Sequence, residues 1–370
     1  MRIAQVSPLF ESVPPQNYGG TERVVSYLTE ELVSQGHQVT LFASADSATS
    51  AELISCCKEA LRQGHPGGDG TACHFIMLER VFREAHRFDV IHFHVDFLHY
   101  PFSRRERRPH VTTLHGRLDL PELPGLYQEY PEMPLISISN AQRRPLPHLN
   151  WQGTVYHGLP NDLFHLHERA SEYVVFLGRV SPEKGLDRAI EIARRAGMKL
   201  KIAAKVDRAD QDYFTEQIKP LLNGPSIEFL GEVGGSAKEE VLGNAYAMLF
   251  PIDWPEPFGL VMIEAMACGT PVIAWPNGSV PEVMEDGVTG FVVESVEEAV
   301  DALKRVPELD RRACRQVFEQ RFSASRMASD YLKIYTRIAE IGAPSPNGSW
   351  RFNGDSPSPK LGRTASAETR

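Results

Sequence analysis

Short apolar runs alternate with amphipathic stretches along this chain, twice over. That alternation leaves little choice but parallel sheets covered on both faces by helices. Arg2–Ser7 reads as a strand, and Thr21–Gln35 as a helix whose Val24, Val25, Leu28 and Leu32 share one face. Gly36 supplies the stop, and Gln38–Ala43 a second strand. Further strands are expected at Val90–His94, Val111–His115, Leu135–Ser139 and Thr154–Tyr156. Beyond the turn-rich Gly158-Leu-Pro-Asn161 the layout begins again. Tyr173–Leu177 is a strand, Leu186–Ala196 a helix, and Leu200–Ala204 and Ile227–Leu230 are strands. Val241–Ala247 follows as a helix, Met248–Phe250 as a strand, Phe258–Ala267 as a helix and Pro271–Ala274 as a strand.

A chain of 370 residues is too long for one ordinary core. It divides into doubly wound α/β units at 1–160 and 161–340, the last helix free to pack back on the first unit. Ligands are expected where strand C-termini face the gap between them. Residues 343–370 are rich in Pro, Ser, Gly and Asn without periodicity and read as a disordered tail.

The net charge of −9 argues against nucleic acid as a partner, though not against a local anion site. No apolar run approaches the roughly 18 residues of a membrane span. Five cysteines without a CxxC pair, and an N-terminus that reads as a strand, fit a reduced, cytoplasmic location. The basic run Ser103–Arg108 reads as a solvated face. Its alternative is contact with an anionic acceptor or, peripherally, with the inner membrane surface.

The densest chemistry lies in Trp254-Pro-Glu256-Pro-Phe-Gly-Leu-Val-Met-Ile-Glu264-Ala-Met-Ala-Cys-Gly269. Two prolines stiffen the approach to a helix whose first amides, at Phe258, Gly259 and Leu260, have no internal partner and can donate to an oxygen-rich ligand. Glu256 sits at the helix mouth and Glu264 about two turns further in, placed to accept from hydroxyls at separate points of one extended ligand. A lone glutamate would read as a cap or a solvated charge; the glycine–proline frame argues otherwise. The second constellation is Gly178-Arg179-Val-Ser-Pro-Glu-Lys184-Gly185, directly after a strand. Arg179 offers a planar fork for phosphate oxygens and Lys184 a compact charge, which is what a departing diphosphate requires.

Together with Phe229-Leu-Gly231-Glu-Val233 and Gly287-Val-Thr-Gly290-Phe291, these segments resemble the retaining glycosyltransferases of family 4, over about residues 1–340. The resemblance implies the GT-B fold, two Rossmann-like domains facing a deep cleft, and the family's two glutamates spaced as Glu256 and Glu264 are. It implies that Glu256 contacts the transferred sugar, Glu264 the ribose, and Arg179 and Lys184 the diphosphate. Gly231 and Val233 would line the base pocket, with Lys238 nearby. Tyr18-Gly19-Gly20-Thr-Glu22 opens a helix, and Gly19 and Gly20 look like the family's first glycine loop, facing the diphosphate across the cleft. His115, at a strand end, resembles the family's active-site histidine. Where many relatives carry Asn before Gly158, this chain has His157.

Two patterns are weighed as decoys. His92-Phe-His94 has metal-like alternation but no further ligands, and Asp210-Gln-Asp212 lies in a polar stretch opening a helix. No catalytic metal and no cofactor is expected. The expected activity is transfer of a hexosyl unit, with retention, from a UDP-, GDP- or ADP-sugar. The acceptor is an unidentified sugar, lipid or small molecule, held by loops that include Gly64–Thr71 and Leu118–Pro134. Alternatives are epimerisation or phosphorolysis on the same fold, or non-catalytic nucleotide-sugar binding.

Overall fold

The structure is a computed structural model that describes residues 1–16, 19–64, 70–106 and 108–342. Tyr18, Arg107 and the 343–370 tail lie outside the described residues.

The first sheet contains β1 (Arg2–Val6), β2 (Gln38–Ser44), β3 (Glu52–Cys57), β4 (Val90–Phe93), β5 (His110–Thr113), β6 (Leu135–Ser137) and β7 (Trp151–Thr154), in the order β3-β2-β1-β4-β5-β6-β7. The second contains β8 (Tyr173–Arg179), β9 (Lys199–Lys205), β10 (Ile227–Gly231), β11 (Ala247–Phe250), β12 (Val272–Ala274) and β13 (Gly290–Val292), in the order β10-β9-β8-β11-β12-β13. Every pairing is parallel. The chain therefore holds two doubly wound sheets, each reversing its strand order beside its first strand, where β1 meets β4 and β8 meets β11.

The helices that matter for the site are α1 (Gly20–Ser34), α2 (Thr71–Glu84), α3 (Leu186–Ala196), α4 (Gly235–Gly243), α5 (Leu260–Ala267), α6 (Arg311–Arg321) and α7 (Ala324–Gly342). Val24, Val25, Leu28 and Leu32 of α1 are fully buried, as their spacing dictates. Helix α7 belongs to the first sheet spatially: its Met327, Tyr331 and Tyr335 share a core with Ile3, Leu28 and Val111. The chain thus crosses between sheets twice, and the crossings are tied together. Leu159 N donates to Phe322 O at 2.9 Å and Ala324 N to Leu159 O at 2.8 Å. A side chain at Gly158 would place its Cβ 2.3 Å from Ser323 O, so only glycine permits this approach.

Several boundaries differ from the sequence reading. The helix expected at Val241–Ala247 is α4, which begins at Gly235 and ends at Gly243, because Ala247 is already committed to β11. The strand expected at Thr154–Tyr156 lies earlier, at Trp151–Thr154. Edge strands β3 and β13 and helix α2 were not singled out in the sequence, although α2 buries His74, Met77, Leu78 and Val81 at helical spacing. Helix α5 starts at Leu260 rather than Phe258, since Gly259 takes a left-handed φ of 79° as its N-cap. Phe258 is instead a buried core ring.

Candidate active site

A cavity of about 1010 Å³ opens between the C-terminal edges of the two sheets. Its lining brings together Gly19, Gly20 and His115 from the first domain with Arg179, Lys184, Val233, Lys238, Glu256, Phe258, Gly259, Leu260 and Glu264 from the second. Gly231 stands back from it: it ends β10 with φ 72°, and the wall there is made by Glu232, Val233, Gly234 and Gly235. Since Phe258 precedes the helix, the mouth of α5 is formed by the amides of Leu260 and Val261 rather than by that of Phe258.

Both glutamates are buried and each is held by a lysine from another element. Lys184 Nζ donates to Glu256 Oε2, which also accepts from Trp254 Nε1 at 2.9 Å. The Lys184 ammonium lies 4.5 Å from the centre of the Trp254 ring, a cation–π contact. Lys238, from α4, donates to Glu264 Oε1, while Glu264 Oε2 has no partner among the described residues. Arg179 is more heavily compensated. It pairs with Glu183 at 2.6 Å, and Asp207 and Asp210 stand 3.9 and 3.7 Å away. Asp210 therefore faces this cation as well as ending a short helical turn at Arg208–Asp210.

The loop after β12 fixes Glu256 and was not singled out in the sequence. Ser279 N donates to Glu256 O at 2.9 Å, Ser279 Oγ to Phe258 O at 2.7 Å, and Asn277 Nδ2 to Ile252 O at 2.8 Å. Gly278, at φ 61°, would carry a Cβ 2.3 Å from both the N and the O of Glu256. Gly278→Ala is therefore expected to displace Glu256 and lower kcat/KM on the order of 10²-fold. Gly287→Ala, at φ 74° but with nothing within 4 Å, carries similar backbone strain without the displacement. Steady-state kinetics on the pair separates the two effects.

On the first-domain side, His115 sits in a stack of imidazoles. His157 lies 5.4 Å from it at an interplanar angle of 17°, and meets Phe258 edge-on at 4.7 Å. His157 thus touches both domains at the crossover, and its Nδ1 has no partner among the described residues. Its substitution for the usual Asn was the only sequence signal for it. Burial pushes the His115 imidazole down to about 3 and holds His157 well below its ordinary range, so both rings are neutral. The His92 and His94 nitrogens are engaged by Tyr335 and Thr113, and by His115 and Gln5. Among the described residues no group of three or more His, Cys, Asp or Glu is placed to hold a metal.

Glu22, three residues into the glycine loop, is 5% exposed beside the Arg62–Glu11 ion pair. Burial raises its carboxyl to about 7, against the smaller lowering effects of its own amide and Arg62. The folded state binds this proton more tightly than the unfolded chain, so the stabilisation is full below about 4.3 and lost as pH rises through about 7. Glu22→Gln is expected to change little at pH 4 and to stabilise at pH 8, by about 3 kcal/mol at most. Urea unfolding at the two pH values reads this directly.

In the basic run at Ser103–Arg108, two arginines have carboxylate partners. Arg104 bonds Glu129 and Glu132, each at 2.7 Å, and Arg108 lies 3.4 Å from Glu106. No helix among the described residues is long and apolar enough to cross a membrane.

Comparison with known proteins divides the chain along the same line as its two sheets. Residues 164–320 match the family described as glycosyl transferases group 1, and residues 18–152 match glycosyltransferase family 4. The phosphatidyl-myo-inositol mannosyltransferase of Mycobacterium leprae is 26% identical over 93% of this chain and 98% of its own length. Among solved structures, AviGT4, a glycosyltransferase involved in avilamycin A biosynthesis, superposes with a TM-score of 0.72 at 25% identity, covering 92% of this chain and 98% of that one. Anabaena Alr3699/HepE in complex with UDP and glucose superposes with a TM-score of 0.69 at 21% identity, covering 91% of this chain and all of that one.

Proposed function

Because the chain is a two-domain glycosyltransferase of the GT-B fold, we propose that it moves a hexosyl unit from a nucleotide-diphosphate sugar to a hydroxyl acceptor, retaining the anomeric configuration. The observation that carries this reading is the pairing of Glu256 with Lys184 and of Glu264 with Lys238 beside the mouth of α5, in a cavity shared by both domains. Glu264 takes the ribose and Glu256 the sugar hydroxyls. A diphosphate between them takes Lys184 from Glu256, and receives the amides of Leu260 and Val261 and the field of Arg179. Gly19, Gly20 and His115 close on the donor from the opposite wall and exclude water.

A double-displacement route requires a carboxylate nucleophile beneath the anomeric carbon. With Glu264 assigned to the ribose and Glu256 to the sugar hydroxyls, neither is left as that nucleophile, which favours front-face attack with the leaving phosphate accepting the acceptor's proton. Charge on the leaving group is met by Lys184, Arg179 and backbone amides. The nucleotide in the HepE complex makes UDP-sugars the first donors to try.

A thermal-shift panel of UDP-, GDP- and ADP-sugars tests the donor. The true donor raises the Tm by mass action, and indifference to all three would remove this reading. The anomeric configuration of the product, read by NMR, tests the mechanism, and inversion would exclude front-face retention. Donor consumption without an acceptor, or a requirement for free phosphate, would turn the assignment to epimerisation or phosphorolysis.

A further inference from the structure

We propose that Gln5, acting through His94, fixes His115 as the tautomer protonated on Nε2, so that its Nδ1 meets the ligand as a hydrogen-bond acceptor. Gln5 and His94 are positioning residues here; of the three, His115 lines the cavity with a ring nitrogen that has no partner among the described residues.

Protons can be counted along a buried file of side chains. Gln5 on β1 stands beside His92 on β4 in the parallel register. Its amide nitrogen donates to the Tyr335 hydroxyl of α7 at 3.2 Å, and its carbonyl oxygen receives His94 Nε2 at 2.9 Å. An amide oxygen can only accept, so His94 carries its proton on Nε2. Burial, reinforced by the neighbouring imidazoles, holds His94 well below its ordinary range and therefore neutral. Its Nδ1 then has only a lone pair. The 2.9 Å contact from that atom to His115 Nε2 needs a hydrogen, which His115 alone can supply. His115 is itself neutral, so its single proton is spent and Nδ1 is left as an acceptor. No partner for Nδ1 exists among the described residues, and the ring lines the cavity.

The other end of the file has the same polarity. Tyr335 Oη lies 2.6 Å from His92 Nδ1, and His92 Nε2 2.7 Å from Thr113 Oγ1; in a file of that polarity Tyr335 donates to His92 and His92 to Thr113. Gln5 is the one member with chemically distinct donor and acceptor ends, so its orientation sets the direction of the file. Its amide nitrogen reaches Tyr335 on α7, the helix that returns from the second domain. A sugar hydroxyl facing His115 must then donate to it, a selection that the inference adds to the donor reading above and that rests on it.

Two-bond proton–nitrogen NMR of the full chain labelled with ¹⁵N-histidine shows which ring nitrogen of His115 is protonated, with no donor present. The expected spectrum has the proton on Nε2; a proton on Nδ1 overturns the proposal. Gln5→Leu is expected to release the tautomer into a mixture and to raise the donor KM about tenfold, with kcat changed far less. Gln5→Glu, buried and protonated, can donate to Tyr335 and accept from His94, and is expected to restore both the spectrum and the KM. An unchanged His115 spectrum or an unchanged KM in Gln5→Leu would overturn it. Should Gln5→Leu not fold, the wild-type spectrum and the Gln5→Glu variant decide alone. Failure of every nucleotide sugar as donor would defeat the proposed function while leaving the tautomer result intact.

Discussion

Lys184→Ala is expected to lower kcat by about 10²–10³-fold, the range for removing one preorganised donor from a developing anion. The lysine has two roles to separate. In the proposed reaction it offers an ammonium to the departing diphosphate, and in the structure it pairs with Glu256, whose side chain is only 10% exposed. Without it Glu256 keeps the Trp254 indole as a donor but lacks a counter-charge, and a carboxylate then faces the leaving group. A loss of stability of about 1–3 kcal/mol should accompany the kinetic defect, below the full penalty of a deeply buried unpaired ion because water reaches the pair. The double variant Lys184→Ala/Glu256→Gln separates the two roles. It should recover the stability and leave kcat low, as read by urea unfolding beside steady-state kinetics. A normal kcat in Lys184→Ala would remove the diphosphate assignment. Arg179→Ala should cost less, because Glu183, Asp207 and Asp210 already share that charge. Motif spacing weighs the two cations alike, and only the geometry tells them apart.

That contrast marks where sequence stops being informative. Features set by neighbours in the chain were legible: the apolar period of α1, the stop at Gly36, the stiff approach through Pro255 and Pro257, and Glu256 before the mouth of a helix that carries Glu264. Features set by distant segments were not. Lys238 meets Glu264 across 26 residues because α4 begins earlier than its apolar residues indicate. Gly278 matters only because its backbone passes against Glu256. His157 reads as a turn residue until the crossover folds it between His115 and Phe258. Likewise His92 and His94 look like alternating ligands on a strand; their partners are a tyrosine from the far end of the chain and a glutamine on the neighbouring strand. Gly231 ends β10 directly beside the stretch of cavity wall that Glu232 and Val233 form.

Glu264→Gln is expected to weaken binding of the nucleoside diphosphate itself by about 10–100-fold, while kcat at saturating donor stays within about threefold. Glu264 is 2% exposed, and the Lys238 ammonium takes one of its oxygens. The other is a buried anionic acceptor with no partner among the described residues. Such an atom carries a desolvation cost that a ligand hydroxyl relieves, and hydrogen bonds to charged groups contribute about 1.5–3 kcal/mol. Glutamine keeps the shape and one acceptor oxygen but surrenders the charge, so the loss falls on binding. The ribose assignment is tested by a cycle rather than by one substitution. Calorimetric titration with ribo- and deoxyribonucleoside diphosphates should show the wild type losing affinity when the hydroxyl is removed, and Glu264→Gln losing much less. Equal sensitivity in the two proteins would mean that Glu264 does not touch the ribose. Because breaking the pair leaves Lys238 with a side chain 19% exposed and able to reach water, the variant should fold normally. Its defect would then be one of recognition, carried by the oxygen that the protein itself leaves unbonded.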